Sequence, residues 1–104
     1  MGDVSVWKFD LPDDAESTVR MPRGAQVLSV QVQDGKPRVW ALVDPKAEKV
    51  RRRFWVIGTG WKSNADGLGA FVDTIQLSEG ALVFHVFDGG EVGSPSESTG
   101  EVEK

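Results

Sequence analysis

Arg38, Trp40, Arg51, Arg53 and Trp55 are the residues of this 104-residue chain whose types and spacing suggest chemistry. Across Val50 to Ile57, the two-residue repeat of an extended strand puts Arg51, Arg53, Trp55 and Ile57 on one side and Arg52, Phe54 and Val56 on the other. If Arg38 to Val43 lies beside it, Arg38 and Trp40 join that face. Three guanidinium groups and two indoles on one surface suit an anion that carries a flat ring. Guanidinium binds phosphate through two parallel hydrogen bonds, and indole stacks on bases. The plainer alternative is a solvated face on which arginine stems cover tryptophan rings.

Three further residues extend this candidate ligand surface. Gly58-Thr59-Gly60 could bring backbone N–H groups close to an anion, with Thr59 and Trp61 as the side chains nearest to it. Neither a Gly-Lys-Ser/Thr nor a complete GxGxxG follows, so the common nucleotide fingerprints do not apply, and a sharp turn at a strand end accounts for the glycines as well. His85 is the sole histidine, set among Val83, Phe84, Val86 and Phe87. A catalytic histidine needs a nucleophile and an orienting acid, and nothing in the sequence pairs it with either, which leaves a structural or ligand-lining role. One histidine and no cysteine rule out thiolate chemistry and make zinc a poor fit. The carboxylates mostly sit in turn-like segments, such as Asp34, Asp44 and Asp66. The reading is therefore a non-enzymatic binding protein with no catalytic residue, no cofactor and no metal.

The elements that must hold these residues are strands. Val4 to Leu11 alternates with Ser5, Trp7, Phe9 and Leu11 on an aromatic side. A short strand is expected around Ser17 to Met21. Ala25 to Gln33 alternates cleanly, with Leu28, Val30 and Val32 on one face. Asp34-Gly35 is a type I′ hairpin signal returning into Arg38 to Val43, which Asp44-Pro45 ends. Val50 to Ile57 is expected to pair with Arg38 to Val43. Gly58 to Gly69 reads as a long irregular loop, with at most one helical turn near Leu68 to Val72. Asp73 to Leu77 is a strand, Ser78-Glu79-Gly80 a turn, and Ala81 to Phe87 a strand apolar on both faces, hence central or against another subunit. About seven short strands with regular turn signals predict an all-β fold, a small antiparallel β-sandwich or barrel.

The domain is expected to occupy residues 1–88, followed by a disordered acidic tail over residues 89–104. Glu91, Glu97, Glu101 and Glu103 against Lys104 give that tail −3 of the net charge of −4. A nearly neutral domain argues against duplex nucleic acid as a partner, which would require a broad basic surface. The chain shows no membrane-length apolar run and no signal-peptide pattern. Its two-sided apolar strands predict a homo-oligomer, a dimer or larger.

The stretches Met21-Pro22-Arg23-Gly24-Ala25, Leu28-Ser29-Val30-Gln31, Trp40-Ala41-Leu42-Val43-Asp44-Pro45, Arg52-Arg53-Phe54, Gly58-Thr59-Gly60 and Gly80-Ala81-Leu82-Val83-Phe84-His85-Val86-Phe87 together resemble a widespread family of small bacteriophage and prophage proteins. The resemblance brings no catalytic residues. What it implies is a viral origin and action in the host cytoplasm. Two functions then follow as expectations: an oligomeric sponge sequestering a nucleotide-like host immune signal, or a minor virion, assembly or protein-interaction module.

Overall fold

The computed structural model describes residues 2–12 and 14–92. Among the described residues seven strands are present: β1 (Ser5–Asp10), β2 (Glu16–Pro22), β3 (Gln26–Gln33), β4 (Lys36–Val43), β5 (Lys49–Gly58), β6 (Ala70–Leu77) and β7 (Leu82–Glu91). A single 3₁₀ turn over Ser78–Gly80 joins the last two. All pairings are antiparallel, in a three-stranded sheet of order β1-β4-β3 and a four-stranded sheet of order β2-β5-β7-β6. This is the small β-sandwich anticipated from the alternation, and β7 is a central strand.

The two sheets bury facing rows of every second residue. Val30, Val39, Ala41 and Val43 come from the three-stranded sheet, and Val19, Met21, Phe54, Val56, Ile75 and Val86 from the four-stranded one. Trp7 and Phe9 of β1 pack against this core on the same side, their ring centroids 6.4 Å apart. The hairpin between β3 and β4 turns at Asp34 and Gly35, with φ of 55° and 77°. Both values lie in the left-handed region that a type I′ turn requires at its two central positions.

Several sequence expectations are corrected. β5 does not pair with β4: β4 lies between β1 and β3, while β5 lies between β2 and β7. The Asp44-Pro45 segment carries the chain from one sheet to the other, because both edges of β4 are already taken. In β3 the register shifts between Val27 and Ser29. This bulge turns Val27 toward the core with Val30 and Val32 and leaves Leu28 46% exposed, against the simple alternation read from the sequence. No helical turn forms at Leu68 to Val72; β6 instead starts at Ala70 and pairs with β7. The boundary at residue 88 falls inside β7, which continues to Glu91 and is followed by a hydrogen bond from Val92 N–H to Arg51 O of 2.8 Å. The remainder of the expected tail, residues 93–104, lies outside the described residues.

Two polar links tie the sheets together. Arg52 and Asp88 point inward, in phase with Phe54 and Val86. They form a bidentate pair of 2.9 Å (Nε to Oδ1) and 2.7 Å (Nη2 to Oδ2), while Arg52 Nη1 donates to Ala25 O at 2.7 Å. On the opposite edge the Asp73 carboxylate of β6 accepts Val30 N–H of β3 at 3.0 Å. That bond satisfies an edge N–H which has no ladder partner once β3 is the outer strand of its sheet.

Candidate functional site

The eight candidate residues occupy four places, set by which sheet each strand joins. Arg38 and Trp40 sit on the outer face of the three-stranded sheet, because Val39 and Ala41 between them are fully buried. Arg38 is ion-paired with Asp10, its direct neighbour on β1. It also lines a cleft of about 320 Å³ at the β3–β4 hairpin, floored by Leu11, Pro12, Pro37 and Leu77. The expected surface combining Arg38 and Trp40 with Arg51, Arg53 and Trp55 is therefore not formed. The two sets face away from each other on opposite sides of the sandwich.

Arg51, Arg53 and Trp55 do share an outward row on β5, since Arg52, Phe54 and Val56 fill the inward one. The strand pairings build a surface around that row. Arg20 of β2 stands directly opposite Arg51, Thr18 opposite Arg53, and Glu16 opposite Trp55. Arg53 Nε lies 3.0 Å from Glu16 Oε2. Arg20 and Arg51 are both exposed, and neither has an ion-pair partner among the described residues. Directly opposed like charges destabilise a strand pair, so this is a place where an anion would be welcome.

An aromatic rung crosses the sheet next to the arginines. Trp55 is opposite Phe87 and Phe87 opposite Phe71, so three rings from β5, β7 and β6 line up. Phe71 and Phe87 meet edge to face, 5.7 Å apart at 71°, and Phe71 is 58% exposed. β5 and β6 run the same way on either side of β7, so residues 59–69 must travel back along the sheet. The Trp55 indole N–H donates to Gly67 O of that connection at 3.0 Å, which fixes the ring. Opposite Arg53, β7 carries Gly90, and the neighbouring Gly89 lies under both side chains: a Cβ there would stand 3.1 Å from Trp55 Nε1 and 3.4 Å from Arg53 Cγ.

Thr59 and His85 lie at the far end of the same face. Nε2 of His85 is 2.7 Å from Thr59 Oγ1 and Nδ1 is 2.9 Å from Thr74 Oγ1. Both ring nitrogens are thus engaged by hydroxyls that bridge the neighbouring strands, an arrangement suited to holding β5, β7 and β6 in register. With alternate residues about 6.6 Å apart, Thr59 stands about 26 Å along β5 from Arg51, too far for one mononucleotide to touch both. Trp61 leaves the face altogether. Its indole lies over Gly58, where an added Cβ would come within 2.5 Å of the ring, and it meets Phe84 edge-on at 5.8 Å. Gly58 is thus glycine because a tryptophan covers it, not because an anion approaches.

The rung of Trp55, Phe87 and Phe71 and the opposed Arg20 and Arg51 were missed in the sequence. Both depend on knowing that β2, β7 and β6 flank β5. The signal present was outward aromatic phase in β7, at Phe87 beside His85. Among the described residues no cluster of three or more His, Asp or Glu could hold a metal, and no helix is long and apolar enough to cross a membrane.

Fold and surface together define a small antiparallel β-sandwich with an open sheet face bearing arginines beside aromatic rings. The chain belongs to the family described as domain of unknown function DUF7352, whose model matches residues 3–96. Neither a curated protein nor a solved structure matches it.

Proposed function

We propose that this protein is a non-enzymatic binding protein that takes up a phosphate-bearing, nucleotide-like ligand on the outer face of its four-stranded sheet. The observation that carries the reading is the outward row Arg51, Arg53 and Trp55, with Arg20 directly across from Arg51 and no acidic partner for either of those two among the described residues. Phosphate supplies the charge the opposed arginines require, and the aromatic rung supplies a surface for the base. With the phage and prophage resemblance, the biological setting is sequestration of a nucleotide-like immune signal in the host cytoplasm by an oligomer of the protein. Titration calorimetry against mononucleotides, cyclic nucleotides and short linear oligonucleotides tests the reading. Heat of binding that falls at least about tenfold in affinity with Arg51→Ala is expected; no heat with any member of the panel overturns it.

A second reading, a virion, assembly or protein-interaction module, draws on the other sheet. Val4, Val6 and Leu28 are 62%, 52% and 46% exposed on the outer side of the three-stranded sheet, next to Leu42 and Trp40. Contiguous apolar side chains on a sheet face suit contact with another protein or a second copy. Light scattering of the wild type and of Val6→Glu reads it out: a multimer that dissociates in the variant favours this face as the contact, and a monomer in both removes the support.

A further inference from the structure

From the geometry of the same face we infer that its ligand is a single-stranded oligonucleotide stretch of about four linked nucleotides rather than a mononucleotide; this rests on the nucleotide reading above. Three features carry it. The first is dimension. The outward row from Arg51 through Arg53 and Trp55 to Ile57 extends about 20 Å at about 6.6 Å per alternate residue, close to the spacing of successive nucleotides in an extended strand. A mononucleotide would use one end of this row and leave the other bare.

The second feature is the crossing of two chemistries. Arg20, Arg51 and Arg53 stand side by side on β2 and β5, while Trp55, Phe87 and Phe71 run across β5, β7 and β6. A strand lying over the sheet can set its phosphates along the arginines and turn its bases onto the aromatic side. Stacking on an exposed ring tolerates any base, because every base has a π face. Phe71, at the open edge and 58% exposed, offers such a ring, and its edge contact with Phe87 steadies it.

The third feature is openness. Gly90 places no side chain on β7 directly opposite Arg53, and nothing stands within 4 Å of where its Cβ would be, so backbone there is within reach of a ligand, while Gly89 lies under Trp55 and Arg53. A duplex is excluded by the same geometry, since its bases are stacked inward and cannot meet Phe71. Stacking on the aromatic rung reads no base edge and the arginines meet phosphates, so binding should depend little on sequence and strongly on salt.

Fluorescence anisotropy with labelled oligo-dT of one, two, four, eight and sixteen nucleotides tests this, alongside a duplex of sixteen pairs. Affinity is expected to climb steeply up to about four nucleotides and then level off, with the duplex far weaker. Phe71→Ala, an exposed position that the core does not require, should weaken the four-nucleotide complex about tenfold. Removing Arg20 or Arg51 should lower the slope of log affinity against log salt by about 0.7 each. Leu28→Ser, on the opposite sheet, should change neither. Mononucleotide binding as tight as that of the four-nucleotide strand, or an unchanged affinity in Phe71→Ala, overturns the oligonucleotide inference and leaves the nucleotide reading standing. No binding at any length, single nucleotides included, overturns both.

Discussion

Arg52 of β5 and Asp88 of β7 clasp each other through two parallel hydrogen bonds inside the sandwich, with side chains only 15% and 12% exposed. The guanidinium also holds Ala25 O at the β2–β3 corner, and Asp88 Oδ1 accepts Gly90 N–H at 2.9 Å. One charge pair thus pins the end of β7, the bulge beside it and the corner leading into the other sheet.

Removing one member leaves the other charged, largely desolvated and without its partner. Asp88→Ala should therefore destabilise the fold by about 3 kcal/mol, read as a shift in the urea midpoint with little change in slope. Truncation after Asp88 should be markedly less stable than truncation after Val92, because the first loses the Gly90 bond and the Val92 to Arg51 bond. Equal midpoints for the two truncations would place the domain end at 88 after all.

At Gly58 any side chain must displace an indole. Gly58→Ala should cost about 1–3 kcal/mol and shift tryptophan emission to the red as Trp61 is expelled into water. In the double variant Gly58→Ala with Trp61→Ala the clash is gone, so the cost of the two changes should fall clearly short of their sum. Strict additivity in denaturant titrations would contradict the contact.

His85 is expected to act as a strut between two threonines. Thr59→Val and Thr74→Val should each cost about 1 kcal/mol, and their combination should be non-additive, since both bonds depend on the orientation of one ring. His85→Gln should lower stability while weakening the four-nucleotide strand far less than Arg51→Ala or Phe71→Ala does, because His85 stands opposite Ile57 at the end of the row away from the arginines. Loss of binding in a folded His85→Gln protein would move the histidine into the ligand surface.

The hydrogen bonds that join β3 to β6 rest on a single carboxylate. Asp73→Ala leaves Val30 N–H without an acceptor in a partly buried position and should cost about 1–3 kcal/mol. Amide hydrogen exchange at Val30 should accelerate in the variant. Exchange unchanged from wild type would show that the bond does not hold the seam.

Strand positions were largely legible because each core-facing row is apolar and each turn carries its own chemistry, as Asp34-Gly35 does. Partnership was not. Alternation places Arg51, Arg53 and Trp55 on one side of a strand, but it says nothing about which strand lies next to it. Assigning β4 to β5 followed the usual neighbour rule, and it failed because β1 already covers the free edge of β4. Arg52 was visible as a charge in phase with Phe54 and Val56, whereas Asp88 lay just past the expected strand Ala81 to Phe87. Their pairing could not be read, since they are 36 residues apart and meet only across a bulge.

The place of β7 between β5 and β6 has a consequence for the order of assembly. Its two neighbours run in the same direction, are separated by one strand width, and both precede it in the chain. The three-stranded sheet has all its members once Val43 has been made, but the four-stranded sheet stays split, with an unfilled slot, until Leu82 to Glu91 arrives. Closure then proceeds by insertion of a strand rather than addition at a rim, joining residues distant in sequence and delaying the fold until synthesis has passed β7. Until that moment the core lacks Val86, and neither β5 nor β6 has its partner on the inner edge.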